Sequence, residues 1–116
     1  MKLNHLNLTV TDVAEAHDFL EKYFGLRSMG RGNPNMAGLL DDSGFVLTVM
    51  KAGKATEVHY PVSFHIGFTQ ESVEKVNEIN RRLREDGFDV PPPRRLHGAW
   101  TFYFQAPGGF AMEVGC

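Results

Sequence analysis

Cysteine is nearly absent from this 116-residue chain. The only one is Cys116, so no disulfide can close within the chain, and nothing points to an oxidising compartment or a cysteine-based metal centre. Charge of one dominant sign is also missing. Twelve Lys and Arg against fourteen Asp and Glu leave a formal charge of −2 and a pI near 6.2, which give no electrostatic reason to expect nucleic acid or an anionic membrane as partner. The one basic cluster, Arg81, Arg82 and Arg84, alternates with Glu78 and Glu85 on a predicted helix and reads as a solvated face. No apolar run approaches the roughly 20 residues that cross a bilayer, and no basic-then-apolar leader precedes the first strand. The expectation is a soluble, cytoplasmic protein with no membrane partner.

What the chain does contain is a repeat. His5-Leu6-Asn7-Leu8-Thr9-Val10, a helical pattern opened by Asp12-Val13, and Gly25-Leu26 are matched by His65-Ile66-Gly67-Phe68-Thr69, a helical pattern opened by Ser72-Val73, and Gly87-Phe88. The offset is 60 residues at the strand and 62 after the helix. Each half then closes on a Gly-Phe strand, Gly44–Val49 and Gly109–Val114, at an offset of 65. With 42% apolar residues in one domain's length of chain, two half-domains fit better than two independent domains. The predicted organisation is a single domain over 1–116, with module one at 1–51, a linker at 52–60 and module two at 61–116.

Within module one, Leu6, Leu8 and Val10 alternate with His5, Asn7 and Thr9, the period of a strand with one apolar face. From Asp12 the period lengthens to that of a helix over 13–24, with Asp12 and Glu15 as a capping box and Gly25 as the left-handed stop. His17, on this helix, is expected to face solvent. Segments at about 26–31, 36–41 and 44–51, separated by turn formers, predict an antiparallel meander. Module two repeats the plan with a strand over 62–69 and a helix from Val73 to Gly87. Pro91-Pro92-Pro93 makes the stretch to Leu96 an irregular edge or loop. The final hairpin turns at Pro107-Gly108-Gly109, and pairing of Ala106 with Phe110 would set Tyr103 opposite Glu113. The same parity turns Trp100, Phe102 and Phe104 toward the helices as core.

Phe110, Met112 and Val114 take the helix-covered face, so Glu113 shares the opposite face with the histidines that open each half. A carboxylate directed inward between Met112 and Val114 is costly unless something pairs with it. Arg94 or Arg95 could do so. Two imidazoles and a carboxylate also make a facial set for a divalent first-row metal and leave positions open for water or substrate. His5, His65 and Glu113 are therefore the candidate metal ligands.

The paired halves, the histidine opening each, and the ending Phe102-Tyr103-Phe104-Gln105-Ala106-Pro107-Gly108-Gly109-Phe110-Ala111-Met112-Glu113-Val114 resemble the vicinal oxygen chelate superfamily. That superfamily includes glyoxalase I, fosfomycin-resistance thiol transferases, extradiol dioxygenases and bleomycin-resistance proteins. The resemblance covers essentially the whole chain and implies an α+β fold in which two βαβββ modules form a cup-shaped mixed sheet. It implies metal ligands from the first and last strand of each half, which here are His5, Thr48, His65 and Glu113. Thr48 departs from the carboxylate that glyoxalase I-like members carry, and this favours the His, His, Glu set of the fosfomycin-resistance and dioxygenase branches.

The function implied is metal-dependent chemistry on a small molecule that chelates a divalent ion (Mn, Fe, Ni, Co or Zn) through adjacent oxygens. The reaction would be that of a lyase, dioxygenase or thiol transferase. Glu113 and Tyr103 are the candidate catalytic residues. Thr48, Arg94, Arg95 and His97 are the candidates to orient substrate or hold an anionic group. A homodimer is expected, with modules exchanged so that His5 of one subunit meets His65 and Glu113 of the other. The alternative is a metal-free, bleomycin-resistance-type protein that sequesters a drug by apolar burial.

Overall fold

The computed structural model describes residues 1–54 and 57–116, so Ala55 and Thr56 of the predicted linker lie outside the described residues. The chain contacts cluster into two units, Met1–Tyr60 with Pro107–Phe110, and Pro61–Ala106 with Ala111–Cys116. Each unit carries one helix and one four-stranded mixed sheet, which together make the two βαβββ modules expected from the repeat.

The first unit runs β1 (His5–Val10), α1 (Val13–Phe24), β2 (Arg27–Ser28), β3 (Met36–Leu40) and β4 (Val46–Lys51), with sheet order β1-β4-β3-β2. β1 and β4 are parallel, and the other pairs are antiparallel. The helix forms where its caps direct. Asp12 accepts from the Glu15 amide at 3.0 Å, and Gly25, at φ 66, closes the last turn onto the Glu21 carbonyl. Its buried stripe of Val13, Ala16, Phe19, Leu20 and Tyr23 lies against the side of the sheet that holds Leu8, Val10, Leu39, Leu47 and Val49. Each large side chain so buried is worth about 1.5–3 kcal/mol. The meander is shorter than its sequence pattern. The segment expected over 26–31 keeps a two-residue strand, and after the Met29 amide donates to the Gly38 carbonyl at 2.9 Å the chain turns at Gly30, φ 67. The Tyr60 hydroxyl ties the far end of the unit to β1, accepting from the Thr9 amide at 2.8 Å and donating to the Thr9 carbonyl at 2.7 Å.

The β3–β4 turn depends on one side chain. Asp41 Oδ1 accepts from the Ser43 amide, the Ser43 hydroxyl and the Phe45 amide, each at 2.8 Å. The Phe45 amide, and behind it the Ser43 bonds, hold the Asp41 carboxyl below its ordinary value despite the opposing effect of burial. Asp41→Ala should cost on the order of 1 kcal/mol at neutral pH. A depressed folded-state value stabilises above the unfolded carboxylate's pKa and loses that contribution as pH falls through the folded one. Urea denaturation of both proteins at neutral and acid pH should therefore show the difference shrinking in acid; a pH-independent gap would contradict this role.

The second unit runs β5 (Ile66–Thr69), α2 (Val73–Glu85), β6 (Arg94–Leu96), β7 (Ala99–Ala106) and β8 (Phe110–Gly115), in the equivalent order β5-β8-β7-β6. Ser72 caps α2 by accepting from the Lys75 amide at 3.2 Å, and buried Val76, Ile79 and Leu83 line its inner face. Buried Asn80 donates to the Pro91 carbonyl at 2.8 Å, which fastens the proline segment to the helix. That segment then enters β6, a true edge strand. His97-Gly98, with φ of 50 and 81, joins β6 to β7 in the two-residue form that needs positive φ at both positions. β5 is shorter than the strand expected over 62–69: a turn closed by the Phe64 amide on the Pro61 carbonyl occupies its start, so His65 stands just before the strand. No described helix is long and apolar enough to cross a membrane.

Candidate metal centre

Trp100 and Cys116 exchange both main-chain hydrogen bonds at 3.1 Å, which fixes the β7–β8 register. Counting inward along both strands puts Tyr103 opposite Glu113 and Ala106 opposite Phe110, as the sequence pattern predicts. Phe110, Met112 and Val114 are fully buried on the helix side, and Glu113 emerges on the other face with its side chain 27% exposed. There its Oε1 lies 3.7 Å from His65 Nε2.

Hydrogen bonds fix what these two atoms can do. His65 Nδ1 is 3.0 Å from the Ser63 carbonyl, which can only accept, so Nδ1 carries the proton and Nε2 presents a lone pair. Glu113 Oε2 accepts from the Thr101 hydroxyl at 3.0 Å, and Oε1 faces the imidazole. Two electron-rich atoms confront each other at 3.7 Å, too far for a hydrogen bond. Such an arrangement is stabilised by a cation between them. Metal ligands at about 2.0–2.2 Å from a shared ion can span this separation, so the donor set fits a divalent metal.

Tyr103 completes this wall. Its ring meets His65 edge-on with centroids 5.3 Å apart. The hydrogen bond from its hydroxyl to Glu113, then burial and the carboxylate's charge, push the phenol above its ordinary value, so it remains a proton donor. His65 and Tyr103 line a cavity of about 480 Å³ with Ser63 and Gln105. Glu113 lines a separate groove with Gly67, Thr69 and Cys116.

The equivalent positions of the first unit have the same chemistry in part. His5 Nδ1 lies 2.7 Å from Asn4 Oδ1, an acceptor, so here too Nε2 keeps its lone pair. Thr48 pairs with Asn7 across β1 and β4, and its hydroxyl donates to Asn7 Oδ1 at 2.7 Å on the face that His5 shares by strand parity. Thr48 is thus engaged as a hydrogen-bond donor.

The two arginines part company. Arg94 is the register partner of Thr101 and so emerges on the Glu113 face, whereas Arg95 pairs with Trp100 and lies over its indole, 5.9 Å from the ring centre. Neither pairs with Glu113, whose partners are Thr101, Tyr103 and His65. His97 is exposed in the β6–β7 turn, where its positive φ serves the hairpin. Trp100 faces α2, donating to Asn77 Oδ1 at 2.8 Å, while Phe102 and Phe104 are buried, as expected of core aromatics.

Sequence reasoning missed Thr101 and Gly67. Thr101 is buried, with its hydroxyl also 2.9 Å from the Val114 carbonyl. Gly115 packs directly over it, where a Cβ would approach Oγ1 to 2.9 Å. Gly67 is the register partner of Glu113 and leaves the flank of the carboxylate open. Thr101 was accessible from the hairpin register, since it shares the parity of Tyr103 on β7, whereas Gly67 reaches Glu113 only through the parallel β5–β8 pairing.

Comparison with known proteins agrees with this architecture. The chain is 54% identical to a possible glyoxalase from Bacillus cereus, over 100% of this chain and 99% of that one, with a TM-score of 0.91. The fosfomycin resistance protein FosX from Listeria monocytogenes, in complex with Mn(II) and sulfate, shares the fold at 22% identity and a TM-score of 0.80, over 99% of this chain and 89% of FosX. A probable trivalent organoarsenical cleaving enzyme from Bacillus subtilis (strain 168) is 30% identical over 90 residues, which are 76% of this chain; the chain spans 58% of that protein's length. The family model of the Glyoxalase/Bleomycin resistance protein/Dioxygenase superfamily matches residues 2–114, and the chain belongs to that superfamily.

Proposed function

We propose that this chain is a metal-dependent enzyme acting on a small molecule that chelates a divalent ion through adjacent oxygens. The ion would be Mn, Fe, Ni, Co or Zn, held by Nε2 of His65 and Oε1 of Glu113, with His5 as third ligand. The observation that carries the reading is the confrontation of two lone-pair donors, His65 Nε2 and Glu113 Oε1, each oriented by a hydrogen bond on its other atom. When bound, the metal supplies Lewis acidity toward a substrate oxygen. Tyr103, kept protonated by its neighbour, would turn its one hydroxyl proton from Glu113 to a substrate oxygen, leaving the carboxylate to hold the ion. Arg94, on the same face, pairs with an anionic group, and Thr48 orients an oxygen through its hydroxyl. The working form is a homodimer.

FosX shows that this fold accommodates Mn(II). The organoarsenical activity of the Bacillus subtilis relative transfers poorly, because trivalent arsenic is soft and prefers thiolates, and this sequence has a single cysteine. Oxygen-chelating substrates suit the His, His, Glu set better.

Calorimetric titration with a catecholate or hydroxamate tests the proposal. Metal-loaded protein should bind the bidentate ligand, and chelator-stripped protein should show at least roughly a hundredfold weaker binding, a difference of about 2.7 kcal/mol. Equal binding by both forms would instead favour sequestration through apolar burial.

A further inference from the structure

His17 does not face solvent as its helical position suggested. Its side chain is only 16% exposed, and it sits between two partners on the helix-covered side of the first unit. Nδ1 lies 3.0 Å from Asp18 Oδ1, and Nε2 lies 3.0 Å from Ser28 Oγ. Ser28 pairs with fully buried Leu39 on β3, and this register turns its side chain toward α1. All three residues border a cavity of about 640 Å³ that Gly30, Gly32 and Lys51 also line.

The polarity of this chain of groups is set by its end. A carboxylate only accepts, so His17 Nδ1 carries the proton and Nε2 aims its lone pair at the Ser28 hydroxyl. That is the arrangement of a nucleophile, its base and the group that orients the base. The Ser28 hydroxyl has one hydrogen and two acceptors in reach, His17 Nε2 at 3.0 Å and the Gly30 carbonyl at 3.1 Å. Glu21 adds a second carboxylate, with ligand atoms of His17, Asp18 and Glu21 all within 4.8 Å of one another.

We propose that Ser28, His17 and Asp18 form a second reactive centre that hydrolyses small carboxylic esters, independent of the metal site. Ser28 Oγ forms a bond to the ester carbonyl carbon while its proton passes to His17 Nε2. The bond to the leaving alcohol breaks, and that oxygen takes the proton from Nε2. Water, deprotonated by the same nitrogen, then releases the acid and restores Ser28. Negative charge developing on the carbonyl oxygen is met by Lys51 and by the Gly30–Gly32 loop, whose amides bond to no main-chain carbonyl among the described residues.

The test uses metal-stripped full-length protein and p-nitrophenyl acetate, so that a bound ion plays no part and failure here leaves the metal proposal standing. Wild type should release p-nitrophenolate in a burst and carry the acetyl group on Ser28 by peptide mass spectrometry. Ser28→Ala and His17→Gln should each lower the rate roughly a hundredfold or more, with unchanged circular dichroism. Asp18→Asn should lower the rate roughly tenfold or more, because it loses the group that fixes the tautomer. Ser28→Cys should keep the acylation, now on sulfur, and guards against a fold lost in the alanine variant. Hydrolysis that survives Ser28→Ala, or acetyl groups spread over surface lysines with none on residue 28, would overturn the proposal.

Discussion

Saturation with a suitable divalent ion should raise the stability of the protein by about 2.7 kcal/mol at a free concentration one hundred times the dissociation constant. For a chain of this size the midpoint of thermal unfolding should rise by roughly 10 °C. His65→Ala removes the Nε2 lone pair that faces Glu113 Oε1 at 3.7 Å, and should abolish most of that rise. Differential scanning calorimetry of both proteins, stripped and then loaded in turn with Mn, Fe, Co, Ni and Zn, gives the comparison. Equal shifts in wild type and variant would place the binding elsewhere, at exposed carboxylates.

Thr101→Val should weaken metal binding about 10–100-fold although the residue itself ligates nothing. The threonine hydroxyl holds Glu113 Oε2 at 3.0 Å, so its loss frees the carboxylate to rotate away from His65. Removing it from a buried site also strips a side-chain donor from within 2.9 Å of the Val114 carbonyl and should cost about 1–3 kcal/mol in stability. Metal titration and urea denaturation of the same preparation separate the two effects. Lost stability with unchanged metal affinity would reduce Thr101 to a packing role.

The helices were legible because local chemistry alone delimits them. Asp12 and Ser72 cap, the apolar residues recur at helical spacing, and Gly25 stops α1 at the bounds predicted, Val13–Phe24. The Tyr103–Glu113 pairing was legible for a different reason: Pro107-Gly108-Gly109 leaves one short turn, and the turn sets the register of everything behind it. Where a tertiary contact or an unrecognised turn decides, the sequence was silent. Phe64-His65-Ile66 alternates like a strand, yet the Pro61 carbonyl captures the Phe64 amide and delays β5 until after His65. Arg94 and Arg95 were indistinguishable as neighbours, because only the His97-Gly98 turn assigns one to the Glu113 face and the other to Trp100. Thr101 carries no motif. Its importance comes from lying within reach of Glu113 once β7 and β8 are paired.

The central claim is that His5, His65 and Glu113 hold one metal ion. Isothermal titration of chelator-stripped protein with Mn(II), run on wild type and on His5→Ala, His65→Ala and Glu113→Gln, tests it most directly. The account predicts one ion per chain in wild type and affinity reduced at least roughly a hundredfold in each variant, about 2.7 kcal/mol apiece. One ion bound with wild-type affinity by both His65→Ala and Glu113→Gln would contradict it.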